Sequence, residues 1–492
     1  MRICLMLALV LMTGTIAEAS DNGIQDSSIP HNKVILAREI DTKDENTPII
    51  YNNVSIVGDL KLNHRKLKNV HIENSIINGN VSFEESTFTE GVEFINTSFQ
   101  KEAQFFRTIF EKDLDLNGTR FKETANFSEA SFMGGATFDY INFNNDTVFS
   151  ASSFRKFGSF YNSTFLGEAD FYLAYFNGHF INFENTTFMK GADFAETQFL
   201  TYLTFMYARF GNYSDFRAAK IFGGANFNDS TFEDFANFDR CHFTESMRFK
   251  NIKFHGIADF SNTRFDGPSF FDGSRFYKNA LFENAQFLGP SDFSNAQFDK
   301  DLFLNNSKIS TMVFEGVTFN GKLYLSKADI NRLMVKWSQI EDIIAYDDSA
   351  YLSLIKNYKD LGMSEANDCY YKYRTLNQAM KSWGWAKSID VFGNITCGYG
   401  VKADRPIICS LILVLLCSTI LWKGRGLRRA SNIEMSASGY DSLYYSFAIF
   451  FTIPLPDFKP AGRYRYVPIF LRAISWTLFA LLIATIGKIM IK

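Results

Sequence analysis

Two short stretches could do ion chemistry through their backbone carbonyls. One is Gly398-Tyr399-Gly400, inside ITCGYGVKADRP at 395–406, and the other is Thr452-Ile453-Pro454-Leu455-Pro456-Asp457. A row of carbonyls replaces the water around a cation only when several copies of such a loop converge between membrane spans. Side-chain chemistry is sparser. His179, His242 and His255 stand alone, with no partner at a metal-ligand spacing, and read as structural. No catalytic set, metal or cofactor is expected. Of six cysteines, Cys4 lies in the first segment and Cys409 and Cys417 in an apolar run. Cys369 and Cys397 either pair in an oxidising compartment or stay as free buried thiols. Asn-x-Ser/Thr triplets at Asn53, Asn80, Asn96, Asn117, Asn126, Asn145, Asn162, Asn185, Asn212, Asn228, Asn305 and Asn394 are candidate N-glycosylation acceptors.

The spans decide between the two stretches. Residues 405–422 are built on PIICSLILVLLCSTILW between Arg405 and Lys423, and residues 467–491 read VPIFLRAISWTLFALLIATIGKIMI. Both are apolar enough to cross a bilayer. Gly398-Tyr399-Gly400 precedes the first span, so it reads as a juxtamembrane turn with Trp383, Trp385 and Tyr399 as interface anchors. Only Thr452–Asp457 lies between the spans. The loop 423–466 that holds it opens with Lys423, Arg425, Arg428 and Arg429 and closes with Lys459, Arg463 and Arg465, the bias of a cytoplasmic loop. The N-terminus agrees: MRICLMLALVLMTGTIAEAS has a basic Arg2, an apolar run, and Ala17 and Ala19 before a cleavage point, a signal peptide over 1–19. The expectation is a two-span membrane protein, held in lipid, with everything before the first span outside the cell. A net charge of −3 argues against general binding to nucleic acid.

A repeat must hold the chain between signal and span. There are 54 Phe against 5 Trp, a bias that points to one residue doing one job many times. From Phe83 the beat runs through Phe88, Phe94, Phe99, Phe105 and Phe110, then Phe121 onward, in alternating steps of five and six. The period is eleven. It slips near Phe183, resumes through GADFAETQF, GANFNDSTF and GPSDFSNAQF, and fades past Phe319. On a helix a five-residue step turns ~140°, so no single buried stripe results. A flat strand fails because an odd step flips the side chain to the other face. What fits is a coil that turns a corner after every Phe. The residue two before each Phe is small, as at Ala192, Thr197, Ala225, Ser230, Ala258 and Thr263. One large and one small residue point inward on each side, with Asp193, Asn226, Asp259 and Asp292 between them facing solvent.

These units resemble the pentapeptide-repeat family, A-[D/N]-[L/F]-x-x, which implies a right-handed quadrilateral parallel β-helix, a solenoid with four units per coil. Coils of 22 residues stacked at ~4.8 Å predict roughly eleven coils and a rod of about 50 to 55 Å. A lyase-type β-helix has similar coils, but its catalytic insertions are absent from this beat. Some members of the family mimic DNA, a role closed to an exported chain. The stretch YDSLYYSFAIFFTIPLPDFKP with the span after it resembles the pore helix, filter and inner helix of two-span potassium channels. Thr452 and Asp457 match the ends of that filter, and Pro454 and Pro456 replace its glycines. Proline has a fixed φ and cannot adopt the filter's glycine conformations, so potassium selectivity is not expected. A channel's filter loop faces outside, whereas this loop carries inside charges. The whole combination, with CGYGV, resembles membrane proteins of methanogenic archaea.

The expected layout is therefore a signal peptide at 1–19, a flexible segment at 20–50, a cap with first coils at 51–78 and the repeat solenoid at 79–330. A small helical hairpin of tetratricopeptide type, in a cap and juxtamembrane segment at 331–404, leads into the spans at 405–422 and 467–491. The function that follows is non-enzymatic: a cell-surface structural or interaction module whose partners are envelope proteins, glycans or its own copies. The alternative is an oligomeric pore, not selective for potassium, with the rod as a sensor.

Overall fold

A computed structural model describes residues 33–430 and 432–490. The expected signal peptide at 1–19, with residues 20–32, lies outside them. Residues 33–334 form a parallel β-solenoid with four faces. One face is a stack of 14 short strands, from Lys33–Leu36 to Thr318–Phe319. Strands pair in register with the coil before, Phe99 beside Phe121 and Phe121 beside Phe143, which is the expected repeat of 22. The slip near Phe183 is a coil of 23 residues, seen in the pairing of Thr164 with Thr187.

The rod is longer than the Phe beat alone predicts, about 62 Å at ~4.8 Å per coil. The reason is that the irregular segment before residue 79 stacks in the same way. Ile35 pairs with Ile56, and Ile56 with Ile77, all buried, using Ile where later coils use Phe. The described part of the 20–50 segment thus holds a strand and a short helix, α1 (Ala37–Asp41).

Two local features turn each corner. The residue two after every second inward position takes a left-handed φ near +55°, as at Glu85, Asn96, Arg107, Asn162 and Asn262. Asn tolerates that conformation better than most residues, which explains its frequency at these corners. Inside, the phenylalanines stack in columns at the strand spacing. Phe238, Phe260 and Phe282 have centroids 4.7 and 4.9 Å apart with nearly parallel rings. The small inward residues form a second ladder. Thr108 donates to the Phe83 carbonyl one coil earlier (2.8 Å), Ser163 to Phe138 (2.6 Å) and Thr263 to Phe238 (2.5 Å). These three buried hydroxyls are thereby satisfied, whereas Ser152 Oγ, at the equivalent inward position before Phe154, has no partner among the described residues. The outward positions are less open than expected: Asn226 is buried and Asp193, Asp259 and Asp292 are half-buried, because stacked coils cover one another's side chains.

The end of the solenoid is closed by α2 (Trp337–Ile340) and the hairpin α3 (Asp348–Asp360) and α4 (Glu365–Met380). Asn357 of α3 seals the last coil, accepting from the Leu333 N–H and donating to its carbonyl, both at 2.9 Å. Open strand edges are covered in this way. Three further long helices follow α5 (Trp385–Cys397): α6 (Asp404–Lys423), α7 (Gly439–Phe450) and α8 (Tyr466–Met490). By length and composition α6 and α8 are two candidate membrane spans.

Candidate functional site

Gly398, Tyr399 and Gly400 all have positive φ, at 52°, 57° and 79°. Three left-handed residues in a row reverse the chain, which folds α5 back beside α6. The Tyr399 hydroxyl bonds Gln378 Oε1, and the Arg374 guanidinium lies 4.9 Å from its ring centroid. This triplet is a hinge between cap and span, as its position before the first span predicts.

Around the hinge a polar junction ties the rod cap to both spans. Arg405, at the start of α6, donates to the Asn394 side chain and the Tyr371 hydroxyl, each at 2.6 Å, and to the Asn394 carbonyl. Asp390 of α5 accepts from Arg374 (2.8 Å) and Lys381 (2.5 Å), and the Lys381 bond and charge hold its carboxyl below the usual range. Lys488, near the end of α8, reaches the Tyr370 ring at 4.3 Å. Cys369 and Cys397 are both free and buried, and burial pushes the Cys369 thiol up to about 12. A thiol so suppressed is inert.

The membrane unit is α6, α7 and α8 packed on one another around Val414, Cys417, Leu421, Tyr445, Ile449, Phe450, Leu471 and Leu478. At 12 residues, α7 is ~18 Å long, too short to cross. Its start lies beside Trp422 at the loop end of α6, the spot a Cβ on Gly439 would meet at 3.4 Å. Its end is different: Phe450 and Phe451 lie 5.6 and 5.7 Å from Phe479, the middle of α8. The helix therefore enters from the loop face and stops halfway. A capping box fixes its start, with Ser438 accepting from the Asp441 N–H (3.1 Å) and Asp441 accepting from the Ser438 N–H (3.0 Å). Arg429 clamps Asp441 at 2.8 Å.

Thr452 to Asp457 return from that midpoint to the loop face. Thr452 takes φ 59°, and Thr452, Ile453 and Pro454 are exposed, as are Pro456 and Asp457, with Leu455 half-buried. Among the described residues no backbone N–H bonds the carbonyls of Thr452, Ile453 or Pro454. On the loop face, strands Leu427–Arg429, Asn432–Ser436 and Phe458–Pro460 form a small antiparallel sheet, pairing Arg428 with Lys459. The sequence gives no periodicity for that sheet, whose strands are three to five residues long.

The candidate acceptors sort by position. Asn53, Asn96, Asn162 and Asn185 are left-handed corners. Asn80, Asn96, Asn162, Asn185 and Asn212 are exposed, and Asn53, Asn117, Asn126, Asn145, Asn228 and Asn305 are half-buried on the rod. Asn394 sits in the junction, where its amide also donates to Gln378 (3.1 Å). At Asn96, Asn162 and Asn185 the triplet grows out of the repeat: a corner Asn, then an inward Ser or Thr, then an outward Ser or Thr before the next Phe. His242 bonds Asp266 at 2.8 Å, His255 stacks on Tyr277 at 4.3 Å, and His179 is exposed in the long coil.

Comparison with known families matches both halves. Pentapeptide repeats are found in nine copies, with matches over residues 72–120, 105–153, 238–285 and 249–297. Residues 407–492 match the family described as ion channel. The chain thus carries pentapeptide repeats and, at its C-terminus, a two-span channel-like domain. Both families are of repeat and channel type and neither is an enzyme family. No curated protein and no solved structure matches the chain.

Proposed function

We propose that the chain is one subunit of an oligomeric membrane pore, not selective for potassium, that carries the solenoid outside the cell as a sensor or docking rod. The exposed, non-helical stretch Thr452–Pro454, level with the middle of α8, carries this reading. Irregular backbone at that depth is tolerated only where protein covers it or water lies beside it. A single copy supplies neither. A ring of copies supplies both, with four the number that two-span channels use. The C-terminal end of α7 points its partial negative charge toward the same place, which favours a cation there. Pro454 and Pro456 keep the loop from the filter conformation, so passage would discriminate weakly among monovalent cations. The basic sheet on the loop face supports an inside loop and an outside rod.

The test is ion flux into vesicles containing the full chain, with Ile453→Cys as the probe variant. Flux that a thiol-specific cationic reagent blocks only in the variant is the expected result. No flux above empty vesicles would refute the pore.

A second reading, a non-enzymatic surface module that binds envelope proteins, glycans or its own copies, draws on the outer face of the rod. Phe180 stacks on Tyr202 (5.9 Å), Tyr213 on Phe235 (5.5 Å) and Phe303 on Tyr324 (4.5 Å). Such ring platforms suit flat partners. Crosslinking on whole cells that captures envelope material through the rod would favour this reading, and capture of nothing would remove it.

A further inference from the structure

Helix α5 has two unlike faces. One is used up in the junction: Asp390, Asn394 and Cys397 face α4 and α6. The other is apolar and uncovered, with Trp385 at 82%, Ile389 at 55% and Phe392 at 58% exposure, spaced i, i+4, i+7. Trp383, just before the helix, is 80% exposed. A stripe of this size on a soluble surface is an interaction site and needs a cover.

The continuity of the chain identifies the cover. The hinge at Gly398-Tyr399-Gly400 lays the end of α5 against the first turns of α6, where Cys409 Sγ lies 3.5 Å from the Ile395 carbonyl. Lys488 Nζ, near the far end of α8, lies 3.5 Å from the Tyr399 carbonyl. The C-terminal end of α5, one turn past Phe392, is therefore level with the rod-side ends of both candidate spans, and the stripe runs on from there. Ile407, Ile408, Leu411 and Ile412 extend the same exposed apolar surface down α6.

We infer that α5 lies in the bilayer interface on the rod side, with Trp385, Ile389 and Phe392 dipped into the headgroup–acyl boundary. Its partner is the lipid surface itself. Trp at this depth suits a ring with an apolar body and one polar N–H. The helix then acts as a foot that fixes the base of the rod against the membrane, one hinge away from α6.

The experiment uses the full chain in phosphatidylcholine vesicles with and without lipids brominated near the headgroup or near the chain end. Replacing Trp337, Trp383, Trp422 and Trp476 with Phe leaves Trp385 as the only reporter. Shallow bromines are expected to cut its emission by about half or more and deep bromines by less, as for interface tryptophans. A variant keeping only Trp476, within α8, reports insertion of the span in the same vesicles. If the multiple replacement fails to fold, a spin label at Phe392→Cys gives the same answer through higher accessibility to oxygen than to an aqueous nickel complex. Emission quenched by aqueous iodide and not by bromines, with Trp476 inserted, would overturn the inference. So would blue-shifted emission that neither quencher reaches, because protein would then cover the stripe.

Discussion

Phe260 is the residue at which the repeat is most directly tested. It is fully buried, stacked between Phe238 and Phe282 and edge-on to Phe249 and Phe271. Phe260→Ala leaves a cavity that regular neighbouring coils cannot collapse, and the expected loss is about 3 to 5 kcal/mol, read by chemical denaturation. Asp259 is a poorer control than its outward position suggests, since it accepts the Ser261 N–H at 2.9 Å. Lys253, exposed on a strand, serves better: Lys253→Ala is expected within about 0.5 kcal/mol of the parent.

Asp193 gives a signed pH effect. It pairs in register with Asp170 below and Asp215 above, and desolvation, then the charges of Asp215 and Asp170, raises its pKa. A raised carboxyl destabilises the folded rod above its folded pKa, and the penalty fades as pH falls toward the unfolded value near ~3.9. Asp193→Asn keeps the bond from the Ala195 N–H, as Asn237 does with Asp239 at the same position in a nearby coil. The variant is expected to melt higher at pH 7 and level with the parent at pH 3.5. A lower melting temperature at pH 7 would mean that the ladder is not repulsive. The inward Phe and small residues were legible because their type repeats. The left-handed corners were not, because Glu, Arg, Tyr, Leu and Ala share that position with Asn, and conformation there is imposed by the closing coil.

Among elements, the junction of α4, α5 and α6 carries the load between rod and spans. Arg405→Ala removes several charged bonds at once, at an expected cost of about 2 to 3 kcal/mol. The first effect should be faster amide exchange in α5, with the solenoid unchanged. Arg405→Lys should recover little, since a point charge cannot serve two acceptors in one plane. Asn394 belongs to the same network, so peptides from material made in a glycosylating host are expected to carry sugar at exposed Asn80 and none at Asn394, by mass spectrometry. The helical hairpin and both spans were legible from apolar spacing and length. The fold-back of α5 was not, because it depends on Tyr399 being held in a conformation that glycine favours and tyrosine does not. The same holds for α7: its apolar run was plain, but its half-way depth depends on packing against Phe479.

For the whole molecule, orientation comes from charge and assembly from exposure. Membrane-impermeant labelling of intact cells should modify Lys253→Cys in the rod and spare Arg463→Cys in the loop, and the reverse pattern would invert the topology. Orientation leaves the pore itself untouched, because α7 enters from the loop face whichever side that is. The pore rests on Thr452–Pro454 being covered by other copies. Native mass spectrometry of the full chain released from its membrane therefore asks the question most directly. A closed ring, expected to hold four copies, is the predicted species. A strict monomer that retains folded α6, α7 and α8 would contradict it, since one pair of spans cannot surround a path for ions.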